Sequence, residues 1–243
     1  MKLDALVIAA HPDDAEISVG GTVLRMVRAG RRVGIVDLTR GEMGTRGTRA
    51  DRDAEASAAS EILGITVREN LDQPDGRVVA DVPAREALAG IIRRLAPDLV
   101  IAHHEDDLHP DHRAAGRLAR EAWYLAGLRR LADEAEGAPA HRPKRFLRFP
   151  GHVAFQPTFV CDIGPVWEDK VRAVQAYSSQ LQPEDGSDEG AHFLFGADIL
   201  QRMESKARYW GEQIGVRFGE PLLSEAPLPL GDPFLAGLLG PSA

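Results

Sequence analysis

The chain has 243 residues, with 37 acidic and 29 basic side chains, a formal net charge of −8 and one cysteine. This length can bury a large core, as one domain or two, without disulfides or metals, and the acidic balance disfavours nucleic acids and anionic membranes as partners because both attract basic surfaces. The single Cys161 excludes an internal disulfide and any CxxC motif, so a bound metal would need nitrogen and oxygen ligands.

The first half of the chain alternates strand-like and helical segments. We predict strands at 3–10, 33–39, 65–71 and 98–104, and helices at 16–29, at 50–63 and from Asp81 to before Pro97. Buried strands joined by helices favour a mainly parallel sheet covered on both faces. The predicted fold class is therefore α/β, a Rossmann-like three-layer arrangement.

The second half is less regular. We predict strands at 146–149, 152–155 and 158–163, and helices at 111–135, 165–177 and 195–213. No linker or internal repeat interrupts the sequence. We therefore expect one domain over residues 1–243.

Two segments of the second half carry little regular pattern. The polar loop 180–192 suits a mobile lid and a plain surface loop about equally. The segment 221–243 contains five prolines among apolar residues. Because proline excludes regular helix, we expect this tail to pack in extended form on the body or on a neighbouring subunit.

The first ten residues do not resemble a secretory signal. They contain Asp4 and an apolar run of only six residues, 5–10. No segment approaches the roughly 18 apolar residues of a membrane span. We expect a cytoplasmic protein that does not bind membranes.

Polar clusters follow three of the predicted strands: AHPDD (10–14), TRGEMGTRGT (39–48) and HHEDDLHPDH (103–112). In open parallel sheets, ligands bind outside the carboxyl ends of the strands. We therefore expect the three clusters to lie along one edge of the sheet and to form the functional site.

A metal site is the first interpretation of two of these clusters. The tight turn at Pro12 could aim His11 and Asp14 at one point, and His112 could supply a third ligand, which leaves a position open for water as in catalytic zinc sites. Asp13 would then lie beside the metal without binding it and could accept a proton from the bound water.

The first histidine of HPDH adds to this interpretation, and alternatives to it remain open. His109 lies one helical turn from His112 and could stabilise an oxyanion or protonate a leaving group. Each motif alone also suits an ordinary turn with a helix cap. Their joint occurrence at two strand ends favours metal-assisted hydrolysis. His103 and His104 end the fourth strand as well, and strand alternation predicts that at most one of them faces the site.

The motifs AHPDD and HPDH resemble the signatures of the LmbE-like, or PIG-L, superfamily of zinc-dependent deacetylases that act on N-acetylglucosaminides. Within it, the chain looks most like the bacterial deacetylases of bacillithiol biosynthesis, which remove acetate from N-acetylglucosaminyl L-malate. The likeness extends to about residue 225. It is supported by GEMGTRGT (41–48), the helix from Arg52 to Gly64, FVCDI (159–163), AYSSQ (176–180) and, more loosely, FGEPL (218–222).

The resemblance implies roles for individual residues. It assigns Zn²⁺ binding to His11, Asp14 and His112, the general base to Asp13, and the oxyanion or acid role to His109. Other divalent ions could use the same ligands. Asp111 resembles a family carboxylate that orients His109, although a first-turn acid favoured by the helix dipole is an equal alternative.

The predicted substrate requires further contacts. A malyl group adds two carboxylates, for which arginine is the expected partner. Arg52 resembles a substrate-contacting arginine of the family, Arg142 is a weaker candidate, and Glu42 could hydrogen-bond to sugar hydroxyls. Both arginines could instead be solvated surface charges. Leu108 departs from the arginine that many relatives have before HPDH, and the family resemblance also implies a homo-oligomer, with a hexamer as one form.

Other functions remain open from the sequence. A deacetylase of N-acetylglucosamine or its short oligomers, or an amidase of thiol conjugates, would use the same residues. A nucleotide-binding Rossmann module is disfavoured, because the first strand–helix turn lacks GxGxxG and carries acids that repel a pyrophosphate. A catalytically silent metal-binding protein leaves Asp13 unexplained, because a structural zinc site has four protein ligands and needs no further carboxylate.

Overall fold

The computed structural model of the chain describes residues 1–44, 47–135, 137–181 and 199–227. These residues contain the strands β1 (Ala5–Ala9), β2 (Val33–Asp37), β3 (Val67–Asn70), β4 (Leu99–His103), β5 (Arg145–Phe149), β6 (Phe159–Asp162) and β7 (Gly219–Ser224). They form one sheet in the order β3-β2-β1-β4-β5-β7-β6. Strands β1 to β5 are parallel, whereas β7 is antiparallel to β5 and to β6.

Helices connect the strands and cover the sheet. They are α1 (Asp14–Arg28), α2 (Arg49–Leu63), α3 (Val82–Leu95), α4 (Pro110–Ala126), α5 (Arg129–Glu134), α6 (Trp167–Gln175), α7 (Ser178–Leu181) and α8 (Ile199–Glu212), with a 3-10 turn at Gly164–Val166. None of the helices in the described ranges is long and apolar enough to cross a membrane.

Side-chain alternation along β1 divides the core into two layers. Val7 and Ala9 pack into the layer that includes residues of α1, α6 and α8. Leu6 and Ile8 point to the opposite side, into the layer that includes residues of α3 and α4. All four side chains are fully buried. Helices therefore cover both faces of a mainly parallel sheet, and the predicted α/β fold is confirmed.

Two predicted elements of the second half are wrong. The helix predicted over 111–135 is interrupted at Gly127, where a side chain would collide with Arg142, so α4 and α5 are separate helices. The strand predicted over 152–155 does not form. The backbone N–H of His152 instead donates a hydrogen bond to the Asp107 carboxylate.

The predicted proline-rich tail begins as a strand of the sheet, so its first residues are extended, as predicted. Pro221 belongs to β7, where it pairs with Val160 of β6. Pairing of β7 with β5 involves only Leu223 and Ser224, so the missing N–H of Pro221 is not needed there. Residues 228–243 lie outside the described residues, as do 182–192 of the predicted loop and 195–198 of the last predicted helix.

Candidate active site

The first and third polar clusters lie together at the carboxyl ends of β1 and β4. These two strands are adjacent and parallel, so their ends meet at the same edge of the sheet. His11 follows β1 and Asp14 begins α1. His109 caps α4, and His112 lies in the first turn of that helix.

His11, Asp14 and His112 have the arrangement of a metal-binding set. One donor atom from each lies within 4.8 Å of the others. The Asp14 carboxylate lies between the imidazoles, with Oδ2 3.3 Å from Nδ1 of His11 and Oδ1 3.3 Å from Nε2 of His112. Two imidazoles and one carboxylate suit zinc and other divalent transition metals.

The remaining nitrogen of each imidazole faces a carboxylate outside this set. Nε2 of His11 lies 3.0 Å from Oδ1 of Asp75 and 3.3 Å from Oδ2 of Asp111. Nδ1 of His112 lies 3.2 Å from Oδ1 of Asp107. A carboxylate in this position fixes the tautomer and orientation of a metal-binding histidine. The nitrogens left for a metal are Nδ1 of His11 and Nε2 of His112.

Two neighbouring triplets bring donor atoms equally close: His11, His109 and Asp111, and Asp107, His112 and His152. Each shares one imidazole with the set that includes Asp14. In each triplet, the shared imidazole has one nitrogen that faces away from Asp14. That nitrogen lies next to a carboxylate of the triplet. We interpret these triplets as the surroundings that orient the ligands.

Carboxylates favour the protonated form of His11 and His112 in the metal-free site. Burial opposes a charge on His112, but the Asp14 and Asp107 carboxylates outweigh it and raise the pKa of His112 to about 9. For His11, too, burial is outweighed by hydrogen bonds to neighbouring carboxylates, and its pKa is well above the usual value. A metal must replace these protons, since histidine binds metals in the neutral form.

Asp13 combines an unusual backbone conformation with an unusual acidity. Its φ angle of 108° is one that non-glycine residues seldom adopt, at a cost of roughly 1–3 kcal/mol. Burial raises the pKa of Asp13, the Arg52 cation opposes that rise, and the Asp14 carboxylate adds to it, so that the pKa is about 7. A carboxyl group that titrates near neutrality suits general-base catalysis.

His109 presents a neutral imidazole to the same site. Its Nδ1 accepts a hydrogen bond of 3.1 Å from the backbone N–H of Asp111, which leaves the ring proton on Nε2. Burial and the charges of His11 and His112 lower its pKa. The ring centroid lies 4.9 Å from that of His11 and 4.8 Å from that of His112. His109 can therefore donate a hydrogen bond from Nε2 beside the metal ligands.

The Asp111 carboxylate contacts His11 and also lies near His109, the histidine that it is predicted to orient. Oδ2 accepts a hydrogen bond of 2.7 Å from the Gly76 N–H and lies 3.3 Å from Nε2 of His11, while Oδ1 accepts one of 3.2 Å from the Val78 N–H. The side chain thus joins the segment that contains Gly76 and Val78 to His11. A ring nitrogen of His109 also lies within 4.8 Å of an Asp111 carboxylate oxygen, so orientation of His109 by Asp111 stays a prediction.

His103 faces the site and His104 does not, as strand alternation predicts. Nε2 of His103 lies 3.2 Å from Oδ2 of Asp14, and its ring stacks on His112 with centroids 4.2 Å apart. Burial and the charge of His112 lower the pKa of His103 to about 4. His103 is therefore a neutral histidine that packs behind the ligands, whereas the ring of His104 lies against Phe155.

Glu42 reaches the site through Asp75. Glu42 Oε1 accepts a hydrogen bond of 2.9 Å from the Asp75 N–H, and Asp75 Oδ2 accepts one of 2.8 Å from the Met43 N–H. These bonds hold the Asp75 carboxylate against His11. Sequence reasoning missed Asp75, whose PDG context indicated only a turn.

Arg52 is buried and its donors face the turn that carries the proposed base. Its side chain is 4% exposed. Nη2 donates a hydrogen bond of 2.8 Å to the Pro12 carbonyl, and the guanidinium lies 5.5 Å from the ring centroid of Tyr177. Both terminal nitrogens also lie 3.4 Å from Oδ2 of Asp13. This arrangement indicates that Arg52 positions the Asp13 carboxylate. Direct contact of Arg52 with a substrate stays a prediction.

Arg142 lies away from the cluster, and its contact with a substrate stays a prediction. Its Nη2 donates a hydrogen bond of 3.0 Å to the Tyr124 carbonyl. Tyr124 is twelve residues after His112 on α4, a rise of about 18 Å along the helix. Arg142 also precedes β5, and therefore lies at the amino end of a strand whose carboxyl end faces the site.

Asp107 and His152 were not predicted as site residues. Asp107 Oδ1 lies 2.8 Å from Nδ1 of His152 and accepts a hydrogen bond of 2.9 Å from the His109 N–H. Asp107 belongs to the acidic run 105–107, and nothing in the sequence distinguished it from its two neighbours. His152 lies far along the chain in a segment without a motif.

The family model described as PIG-L, GlcNAc-PI de-N-acetylase, matches residues 6–123. The chain is 31% identical to the diacetylchitobiose deacetylase of Thermococcus kodakarensis, over 88% of this chain and 80% of that protein. It is 31% identical to the probable N-acetyl-alpha-D-glucosaminyl L-malate deacetylase 2 of Bacillus anthracis, over 72% of this chain and 80% of that protein.

The chain is also similar to a relative with a different named function and to a solved structure. The chain is 31% identical to the 4-oxalmesaconate hydratase of Pseudomonas putida, over 72% of this chain and 73% of that protein. A solved structure of a conserved protein from Thermus thermophilus superposes with a TM-score of 0.84 at 40% identity, over 95% of this chain and 98% of that one. The chain therefore belongs to the PIG-L family, also called LmbE-like.

Proposed function

We propose that the protein is a metal-dependent hydrolase that removes the N-acetyl group from an N-acetylglucosaminide. One arrangement carries the proposal: Asp13, a carboxyl group with a pKa of about 7, directly precedes Asp14 of the three-residue donor set. A metal site that served only structure would not need such a group. The family description and the amino-sugar deacetylases among the relatives support this substrate class.

His11, Asp14 and His112 are the residues that would hold the ion. A divalent ion such as Zn²⁺ supplies Lewis acidity for the amide carbonyl and lowers the pKa of water at the site. The same ligands accept other divalent ions, so zinc itself is part of the proposal.

The chain's own residues divide the proton transfers. Asp13 accepts the proton of the attacking water, and Arg52 holds the Asp13 carboxylate through both terminal nitrogens. His109 donates a hydrogen bond from Nε2 to the developing oxyanion, and the proton that Asp13 has accepted passes to the departing nitrogen. Acetate and a free amino sugar are the products.

For the aglycone, we propose L-malate as the first candidate, as in bacillithiol biosynthesis. The likeness to the Bacillus anthracis deacetylase supports it. The two arginines selected for malate give less support, since Arg52 faces Asp13 and Arg142 lies at the far end of α4. N-acetylglucosamine and its short oligomers are supported by the Thermococcus relative, and a thiol-conjugate amidase would use the same residues.

A hydratase is the second candidate function, because the Pseudomonas putida relative is named as one. Addition of water to a carbon–carbon double bond also needs a base such as Asp13 and an acid such as His109. Its substrate would bring several carboxylates, which favour arginine partners. Arg52 already donates a hydrogen bond to the Pro12 carbonyl, so it is less available to a substrate carboxylate. This contact favours the amide hydrolase over the hydratase.

We further propose that the protein works in the cytoplasm as a homo-oligomer, with a hexamer as one form, and without nucleic-acid or membrane partners. The net charge of −8 supports the absence of polyanionic partners. Light scattering of the purified protein would measure its oligomeric state.

The test of the function combines metal analysis with acetate release. Purified enzyme would be assayed on N-acetylglucosamine, N,N'-diacetylchitobiose and N-acetylglucosaminyl L-malate. Asp13→Asn should keep the metal and lose at least about 100-fold in rate, whereas His11→Ala should lose both. Asp106→Asn, an exposed aspartate of the same cluster, is the matched control. A near-normal rate of Asp13→Asn would overturn the assignment of the base.

A further inference from the structure

A cavity of about 690 Å³ opens beside two of the proposed metal ligands. Asp14 and His112 line it at the metal site, and the described lining residues do not include Asp13 or His109. Its size lies within the usual range of small-molecule pockets, roughly 300–1,000 Å³, and far exceeds what an acetyl group fills. The cavity therefore begins at the proposed metal ligands.

One face of α8 gives the cavity its length. Met203, Ala207 and Trp210 line it, and their spacing of four and three residues places them on one side of the helix. From Met203 to Trp210 the helix rises about 10 Å. Ile17, on the first turn of α1, adds an aliphatic side chain near Asp14. The wall is thus long and largely apolar.

The lysines that line the cavity already have polar partners. Lys170 is bonded to the Glu220 carboxylate, and both side chains are almost fully buried. Lys206 Nζ donates a hydrogen bond of 3.1 Å to the Gly151 carbonyl. Lys170 is therefore neutralised by Glu220, and the cations that remain, Lys206 and Arg202, are exposed residues of α8. The buried part of the wall, which includes Met203 and Ala207, favours an uncharged, apolar occupant.

The proposed chemistry decides which part of the substrate lies in the cavity. Asp14 and His112 would hold the ion that activates the amide carbonyl, so the reacting carbon lies near them, where the cavity begins. One substituent of that carbon is the nitrogen of the sugar, whose hydroxyl groups suit polar surroundings. The other is the alkyl part of the acyl group, which suits the apolar side chains of Met203 and Ala207. The alkyl part of the acyl group is therefore the better occupant of the cavity.

We propose that this cavity binds the acyl chain of the substrate, and that the enzyme hydrolyses N-acyl amino sugars whose aliphatic chains are longer than acetyl. The inference rests on the proposed amide hydrolysis and deepens it. Water cleaves the amide C–N bond, giving the aliphatic carboxylate and the free amine. No co-reactant other than water is required.

The test compares N-acetyl-, N-butanoyl- and N-octanoylglucosamine with the metal-loaded enzyme. We expect kcat/KM for the octanoyl amide to exceed that for the acetyl amide. Ser18→Phe, which places a ring in the cavity, should lower the octanoyl-to-acetyl ratio at least tenfold. Ser57→Phe, on the exposed side of α2, is the matched control and should leave the ratio unchanged.

A further substrate separates the acyl chain from the aglycone as the occupant. The octyl glycoside of N-acetylglucosamine carries the same chain on the other side of the amide. If Ser18→Phe lowered turnover of this glycoside and not that of the octanoyl amide, the cavity would bind the aglycone and the inference would fall. If the enzyme hydrolysed the acetyl amide and not the octanoyl amide, the inference about the acyl chain would also be overturned. The proposed deacetylase function would still stand. Hydrolysis of neither amide would contradict the proposed function itself.

Discussion

Both terminal nitrogens of Arg52 lie 3.4 Å from the same oxygen of Asp13, Oδ2. Burial raises the pKa of Asp13, and this cation opposes the rise by favouring the ionised form. In Arg52→Met the opposition is lost, so the pKa of Asp13 should increase. The acidic limb of the kcat/KM profile is then expected to move to higher pH by about one unit, and activity at pH 6 should fall more than activity at pH 8.5.

The matched control for Arg52→Met is Arg49→Met on the same helix. Arg49 is exposed and pairs with Asp72, so its removal should leave the pH profile in place. A raised KM with an unmoved acidic limb in Arg52→Met would instead make Arg52 a substrate-binding residue, as the family resemblance implies.

Asp107 is expected to set metal affinity although it is not a proposed ligand. Its Oδ1 lies 3.2 Å from Nδ1 of His112, the nitrogen that faces away from Asp14. Loss of such a carboxylate typically weakens metal binding 10–100-fold. We expect this loss in Asp107→Asn, measured by competition with a chromogenic chelator, and none in Asp106→Asn. Equal affinities of the two variants would show that Asp107 does not orient His112.

Metal binding should release protons and weaken as the pH falls. The metal-free His112 has a pKa of about 9 and is therefore protonated at pH 7, whereas a metal ligand must be neutral. Below pH 9, each bound ion must displace this proton, so the apparent Kd should rise at least tenfold for each unit of decreasing pH. Zinc titrations between pH 6 and 8 would measure the slope. A Kd that is independent of pH in this range would contradict the raised pKa.

The part of the site that could be predicted from sequence depends on local spacing. His11 and Asp14 are three residues apart across one turn, and strand order brings HPDH to the same edge. Those relations follow from chain connectivity alone. Asp107 and His152 form their contact across 45 residues, and the His152 segment forms no strand that would have placed it beside β4. A contact of that kind depends on packing that local patterns do not encode.

The prediction for Arg142 rests on chemistry without position. Arginine suits a malyl carboxylate, but Arg142 precedes β5 and lies at the amino end of a strand whose carboxyl end faces the site. The tail from Pro221 is predicted to be extended because proline excludes helix, and its first residues do belong to β7, whose short ladder with β5 requires no N–H from Pro221. The positions of both residues depend on the sheet register, which residue type alone does not encode.

The buried pair of Lys170 and Glu220 should dominate the stability of the packing between α1, α6 and β7. Glu220 also accepts hydrogen bonds from the backbone N–H groups of Gly21 and Thr22, at 2.9 and 2.6 Å. Lys170→Met removes the cation and leaves a buried carboxylate without its counter-charge, so we expect a loss of about 3–5 kcal/mol in the free energy of unfolding. Urea unfolding would measure it.

The exposed pair of Arg208 and Glu204 provides the control for Lys170→Met, because an exposed pair contributes at most about 1 kcal/mol. In the double variant Lys170→Met with Glu220→Leu, neither charge remains buried. Its loss should therefore be smaller than the sum of the two single losses. Additive losses would mean that the two charges do not stabilise each other, and a loss below about 1 kcal/mol for Lys170→Met alone would mean that water reaches Glu220 in the folded protein.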